Sequence, residues 1–421
     1  MVSSVRAAID AGALQAGDVL PSIRELSIRL GVNRNTVAAA YTQLAAAGVV
    51  ASRRRGGTVV LGIPKLDGEG RPVVGGLTDL ASGNPDRALL PGIAEAFDAA
   101  YVPPLYGAEP ISAELRQWAA THMAPDVDRS YQLIVTHGAV DAIERLLGAH
   151  LTRGDVVAVE DPCFLSSIGA LRLGGYQSAP VPVDAEGMTV AGLRAALRAG
   201  ARAVVCTPRA HNPTGASLSA ARAAALGDVL REHPGVLVIE DDHFSSISGQ
   251  PYRRLTPPQT QRWALVRSVS KFLGPDFRVA VVLADAGSAI RVEAHLGTAS
   301  TWVSHILQHM VSRLLTSENT AALLRRARES YAERNAYLLT ALTAEGIEAQ
   351  SNVDGLNVWI PVSDKPGRVV EALARRGWAV RSGNDFAVAD RPTPAIRVTT
   401  STLAPGQATD FAADLASALH S

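Results

Sequence analysis

The stretch Ser268-Val269-Ser270-Lys271-Phe272-Leu273-Gly274-Pro275-Asp276-Phe277-Arg278 decides how this chain is read. Lys271 follows two serines, and Arg278 comes after it across a Gly-Pro turn. A lysine in a partly dry site gives up its proton more readily, and its amine then becomes a nucleophile. Short apolar runs flank the stretch, Trp263-Val266 before it and Val279-Leu283 after it, and both read as strands.

Working outward, further strands are expected at Gln132-Val135, Val156-Val159, Ala203-Cys206 and Leu237-Ile239, with Ala- and Leu-rich helices between them, such as Val140-His150 and Leu218-Glu232. Alternating strands and helices predict a mostly parallel sheet covered on both faces. Ligands of such sheets gather where strands end and helices begin. Four motifs fall at such ends. Thr136-His137-Gly138-Ala139-Val140 opens a helix, whose free amides at Gly138, Ala139 and Val140 suit a phosphate. The others are Glu160-Asp161-Pro162-Cys163-Phe164, His211-Asn212-Pro213-Thr214-Gly215 and Ile239-Glu240-Asp241-Asp242-His243-Phe244. Asp242 reads as a buried structural partner.

The first 62 residues are different. Leu20-Pro21-Ser22-Ile23-Arg24-Glu25-Leu26 reads as a helix start, with Ser22 as cap, Glu25 completing a capping box and Gly31 ending the helix. Asn33 caps a second helix, Arg34 to Ala46, closed by Gly48, with Val37, Tyr41 and Leu44 as core. Two short helices across a tight turn make a helix-turn-helix. Val49 to Leu61 reads as a hairpin wing with Arg53-Arg54-Arg55-Gly56-Gly57 at its tip. Residues 63–78, rich in Gly, Pro and charge, read as a mobile linker, and 79–421 as the second domain.

The chain has 421 residues and zero formal charge, yet residues 1–62 hold seven arginines against three acids. That local surplus suits phosphate contacts. Cys163 and Cys206 are the only cysteines, which excludes a disulfide framework and fits a reducing compartment. No apolar run is long enough for a membrane span, no signal peptide opens the chain, and no Cys/His spacing suggests a metal. A cytoplasmic protein is expected.

The ordered set L-P-S-x-R-E-L, G-V-N-R-N-T-V and R-G-G-T-V-V resembles the GntR winged helix-turn-helix, and the Lys271 stretch resembles fold-type I PLP (pyridoxal 5'-phosphate) enzymes. Together they resemble the MocR (GabR-like) subfamily of GntR regulators, across residues 1–61 and 80–420. Gly83-Asn84-Pro85-Asp86 also matches. The resemblance implies an N-terminal winged helix-turn-helix and an α/β aminotransferase-like domain that senses rather than metabolises. Arg24, Arg34, Asn35, Thr36 and Ala38 then fall at DNA-facing sites on an operator duplex, with Arg53, Arg54, Arg55 and Gly57 at the minor groove or backbone. Ala38 departs from relatives with Arg there, and the first helix, Val2 to Ala11, is shorter than usual.

In the body the resemblance makes Lys271 the internal aldimine lysine and Asp241 the partner of the pyridine nitrogen. Asn212 and His243 fall at the phenolic oxygen, where His243 replaces the usual Tyr. Phe164 stacks on the ring. Ser268, Ser270, Arg278 and the Gly138 turn take the phosphate, and Tyr106 reaches it from the partner of a homodimer with composite sites. Arg397 grips a carboxylate. Two stretches, Val32 to Tyr41 and Ser268 to Asp276, resemble a branch that regulates vitamin B6 salvage. The effector is then PLP or another B6 vitamer. Two alternatives stay open: a working aminotransferase with a DNA-binding head, and a regulator whose effector is an amino acid forming an external aldimine.

Overall fold

In the computed structural model the helix read from Ser22 runs over Ile23–Leu30. The Ser22 hydroxyl accepts from the Glu25 amide at 3.2 Å, and Gly31 closes the helix in the left-handed region. The Glu25 carboxylate, expected to complete a capping box, instead pairs with Arg29 at 3.2 Å on an exposed face. The structure describes the chain except residues 47, 48, 54–56, 62–68, 71, 72, 74, 297–301, 363, 364, 390, 420 and 421; at 46, 51–53, 295 and 296 it describes the backbone alone.

The chain divides into two compact units, Met1–Leu66 and Asp67–Ser421. The first holds helices Val2–Asp10, Ile23–Leu30 and Arg34–Ala46 and a small antiparallel sheet in the order Val19–Leu20, Gly57–Val60, Val50–Arg53. Val37, Tyr41 and Leu44 are buried with Leu20, Val50 and Val60, as the helical spacing predicts. The Tyr41 hydroxyl donates to the Pro21 carbonyl at 2.7 Å and ties the second helix to the start of the first. Strand Val19–Leu20 escapes sequence reading because two residues show no alternation. Gly48 lies outside the described residues.

The second unit is built on an eight-stranded sheet in the order Gln132–Thr136, Ala280–Ala284, Arg262–Ser268, Leu237–Asp241, Ala201–Cys206, Val156–Asp161, Gln177–Asp184, Gly187–Met188. The four strands from Arg262–Ser268 to Val156–Asp161, together with Gln177–Asp184, pair in parallel. Ala280–Ala284 runs antiparallel to both its neighbours. All six strands expected from the sequence are present. Gln177–Asp184 was hidden by Pro180 and Pro182, which lack the amide a strand ladder uses.

A smaller sheet, Asn357–Pro361, Ala395–Thr399 and Arg381–Ser382, packs with the Pro405–Leu419 helix and the 27-residue helix Glu318–Ala344 around Leu80, Ile396, Val398 and Phe411. Thr78–Asp79 pairs in parallel with Trp378–Ala379. The chain therefore enters this unit through its C-terminal part, which brings residues 80–84 alongside Arg397 and Lys271. No helix among the described residues is long and apolar enough to cross a membrane.

Candidate cofactor-binding site

The loops that carry the chemistry leave the sheet at one edge. They follow the C-terminal ends of Gln132–Thr136, Val156–Asp161, Ala201–Cys206, Leu237–Asp241 and Arg262–Ser268, while the antiparallel Ala280–Ala284 starts from the same edge just after Arg278. Gly138, Ala139, Val140, Phe164, Asp241, His243, Ser268, Ser270, Lys271 and Arg278 line one cavity of about 450 Å³. Residues drawn from across the chain thus line one cavity.

Part of this lining is an anion-friendly cradle. Gly138 opens helix Ala139–His150 at a φ of 91°, and no side chain caps it, so the positive helix end faces the cavity. A Cβ on Gly138 would stand 3.8 Å from the Arg278 guanidinium carbon. Arg278 itself holds a left-handed φ of 48°, a strained conformation for a non-glycine residue that clusters at functional sites. The Ser268 hydroxyl lies 3.1 Å from that of Ser270 and accepts the Ser270 amide at 3.2 Å.

Asp241, last residue of its strand and 4% exposed, lines the same cavity. Its Oδ1 is buried and has no hydrogen-bond partner among the described residues, and its Oδ2 lies 3.5 Å from His243 Nδ1. The His243 ring lies nearly parallel to that of Phe164, with centroids 6.3 Å apart. Lys271, on the same lining, donates from Nζ to the Gly83 carbonyl at 2.8 Å. Burial holds the Lys271 pKa below its ordinary value; Glu69 pushes it upward and Arg397 downward.

Asn212 and Arg397 stand beside the cavity rather than on its lining. Both are fully buried, and an Arg397 guanidinium nitrogen donates to Asn212 Oδ1 at 3.1 Å. Gly215, at φ 72°, makes the turn behind Asn212; a Cβ there would press on Val353 and on the Asn357 carbonyl. Tyr106 is 92% exposed and meets the Trp302 ring edge-on, so in a single chain it does not reach the cavity. Sequence reading missed Glu69, which lines the cavity and pairs with Arg397. It lies in a stretch without periodicity, 328 residues before its partner, and no local signal marks it.

Two buried polar groups lie off the cavity lining. Glu160 Oε2 is 3.4 Å from His211 Nε2. Burial pushes the Glu160 carboxyl up to about 8 and the His211 imidazole down to about 3, so both are held neutral rather than as an ion pair. Asp242 accepts a two-bond fork from Arg209 (2.7 and 2.8 Å) and a third bond from Arg267 (2.7 Å). Burial alone would raise its pKa, but the two guanidiniums outweigh burial and lower it. Asp242 is the structural partner its position suggested.

In the first unit Arg34, Asn35 and Thr36 are exposed on the opening turn of Arg34–Ala46, Ala38 is half-buried, and Arg24 and Gly57 are exposed. The Asn33 side chain accepts the Asn35 amide at 2.9 Å. Arg54 and Arg55 lie outside the described residues, and only the backbone of Arg53 is described.

The cavity's donor set fits PLP on its own terms. Among the described residues a buried carboxylate oxygen without a partner suits a ring N–H, an uncapped helix end with an arginine suits a phosphate, and a lysine of lowered pKa lines the same cavity. Residues 2–60 match the family of bacterial regulatory proteins named gntR, and residues 76–415 match aminotransferase class I and II. Over 99% of its length the chain is 47% identical to the vitamin B6 salvage pathway transcriptional repressor PtsJ of Salmonella typhimurium, covering 97% of it. It is 27% identical to the probable rhizopine catabolism regulatory protein MocR of Rhizobium meliloti, over 79% of this chain and 74% of that one.

The chain is a MocR-type member of the GntR family of transcriptional regulators. Solved structures show that this MocR-type regulator carries the aminotransferase fold. Pyrococcus horikoshii kynurenine aminotransferase matches with a TM-score of 0.74 at 21% identity, covering 82% of this chain and 91% of that one. LysN, the α-aminoadipate aminotransferase of Thermus thermophilus, matches with 0.70 at 24%, covering 82% and 92%. The fold and the class I and II match imply PLP dependence, and the GntR match implies DNA binding.

Proposed function

We propose that this regulator senses PLP at Lys271 and controls genes of vitamin B6 salvage or metabolism. The observation that carries the reading is the convergence of Lys271, Asp241 and the Gly138–Arg278 cradle on one cavity. PLP, when bound, supplies an electrophilic carbon and an electron-withdrawing ring. Asp241 would hold the ring nitrogen, Asn212 and His243 the phenolic oxygen, and Phe164 the ring face. Gly138, Ala139, Val140, Ser268, Ser270 and Arg278 would hold the phosphate, joined by Tyr106 from a second copy in a homodimer. The exposure of Tyr106 within one chain supports that last assignment. The link to vitamin B6 rests on the likeness to the Salmonella repressor.

Such a sensor works only if PLP binds one arrangement of the dimer better than another. On the DNA side, Arg34 would read guanine and Asn35 adenine or a phosphate, with Arg24, Thr36, Ala38, Arg53, Arg54, Arg55 and Gly57 around them. The filled set of cavity residues also supports a second reading, a working aminotransferase. His243 in place of Tyr weighs against it. Equilibrium dialysis of PLP separates the two when paired with a steady-state assay using an amino donor and a keto acid. Stoichiometric PLP that depends on Lys271, without sustained turnover, is expected. Sustained turnover would overturn the sensor reading.

A further inference from the structure

Arg397 is a wholly buried cation, and its fork is already filled. Its two terminal nitrogens donate to the two oxygens of Glu69 at 2.5 and 3.1 Å. Asn212 Nδ2 donates to the same carboxylate at 2.9 Å. This is the two-bond geometry by which arginine holds any carboxylate. The Glu69 carboxylate also comes so close to Gly83 that a Cβ there would overlap it. The Gly70 amide donates to the Ser82 carbonyl at 2.8 Å and anchors the segment next to the carboxylate. Burial raises the Glu69 pKa; the charge and hydrogen bonds of Arg397, then Lys271 and Asn212, outweigh burial and lower it, so the group is an anion.

Among the described residues Arg397 has no other carboxylate partner. A buried guanidinium without an anion is costly, so the site calls for one anion at a time. Glu69 is not part of the sheet or of the strand that carries Arg397. It stands at the very start of the second unit, in the stretch of chain that leads in from the DNA-binding unit. It also lines the cavity that Lys271 lines.

We propose that Glu69 is a tethered stand-in ligand. It occupies the carboxylate grip of Arg397 and Asn212, and a small free carboxylate reaching the cavity displaces it and releases the joining segment. Effector capture and the hold on that segment are then one competition for one guanidinium. This rests on the reading of Arg397 as a carboxylate grip, and it does not depend on PLP.

The test uses the full-length chain and propionate, a carboxylate with no amine to react. Propionate affinity is measured by calorimetry for the wild type, Glu69→Gln, Glu69→Ala and Arg397→Leu. Hydrogen exchange of the peptide containing Gly70 is followed in the wild type. The expected result is at least about tenfold tighter propionate binding once Glu69 is neutralised, as for removal of an intramolecular competitor. Binding should be lost in Arg397→Leu, and the Gly70 amide of the wild type should exchange faster at saturating propionate.

Equal affinity in wild type and Glu69→Ala, with Gly70 still protected, would overturn the proposal. So would the absence of propionate binding in every variant, which would make the Glu69–Arg397 pair purely structural and leave PLP sensing untouched. Failure of PLP binding alongside intact competition would sink the sensor reading alone. The wild-type exchange experiment stands even where a variant fails to fold.

Discussion

Lys271 Nζ donates to the Gly83 carbonyl at 2.8 Å, joining the loop after the central strand Arg262–Ser268 to the loop after Thr78–Asp79. The amine is thereby held at the cavity with its pKa lowered, first by burial. Two outcomes are expected. Lys271→Ala abolishes the visible absorbance band of bound PLP. In the wild type the rate of PLP uptake rises with pH as the amine loses its proton, and levels off below pH 10.5, the ordinary lysine value. Stopped-flow absorbance across pH checks both; a plateau only above that value would contradict the burial argument.

Asp241→Asn alters a buried carboxylate whose Oδ1 has no hydrogen-bond partner among the described residues. A hydrogen bond to a charged group is worth about 1.5–3 kcal/mol, so PLP affinity should fall by about tenfold to a hundredfold. Equilibrium dialysis reads the change, and an unchanged affinity would place the ring elsewhere.

Glu160 and His211 give the second unit a pH dependence of definite sign. Between pH 4.5 and about 8 the unfolded chain gives up the Glu160 proton while the folded chain keeps it, so this group makes stability fall as pH rises. Between about 3 and 6.5 His211 acts in the opposite sense, because the unfolded chain binds the proton that the folded one refuses. The two offset each other between pH 4.5 and 6.5, and below 4.5 His211 acts alone. Above pH 6.5 Glu160 acts alone, costing about 2 kcal/mol by pH 8. Unfolding midpoints should drop across that window in the wild type and stay flatter in Glu160→Gln.

Asp242→Ala leaves Arg209 and Arg267 buried without their shared carboxylate. Breaking a buried pair in this way costs about 3–5 kcal/mol. Chemical denaturation should show the loss, with an unfolding curve shifted to lower denaturant.

On the DNA side Arg34→Ala should cost about 1–3 kcal/mol and relax the preference at one base pair. Arg24→Ala should weaken binding across sequences and flatten its salt dependence. Fluorescence anisotropy on an operator and a scrambled duplex separates the two roles. A uniform loss for Arg34→Ala would move it from base reading to phosphate contact.

Much of this was legible because the informative residues lie at element ends. The Ser22 cap, the left-handed Gly31, the burial of Val37, Tyr41 and Leu44, and the six strands that carry the motifs follow from local chemistry and spacing. The convergence of Gly138, Phe164, Asp241, Ser268, Lys271 and Arg278 was read through family resemblance, and the cavity brings them together. What stayed hidden was non-local or short. Strand Val19–Leu20 exists only through its pairing with the wing, and Gln177–Asp184 carries two prolines. Glu69 looked like one more charge in a connector, because its meaning comes from Arg397, far along the chain. The Glu25 carboxylate shows the converse: a motif was present, but the nearby Arg29 took its charge.

The central claim is tested most directly by the affinity of the PLP-free protein for the duplex upstream of its own gene as PLP is added. Wild type and Lys271→Ala should be compared at fixed salt. The account predicts that wild-type affinity changes in step with the growth of the PLP band, while Lys271→Ala shows neither band nor change. A full PLP band with flat DNA affinity would contradict it and make PLP a fixed prosthetic group.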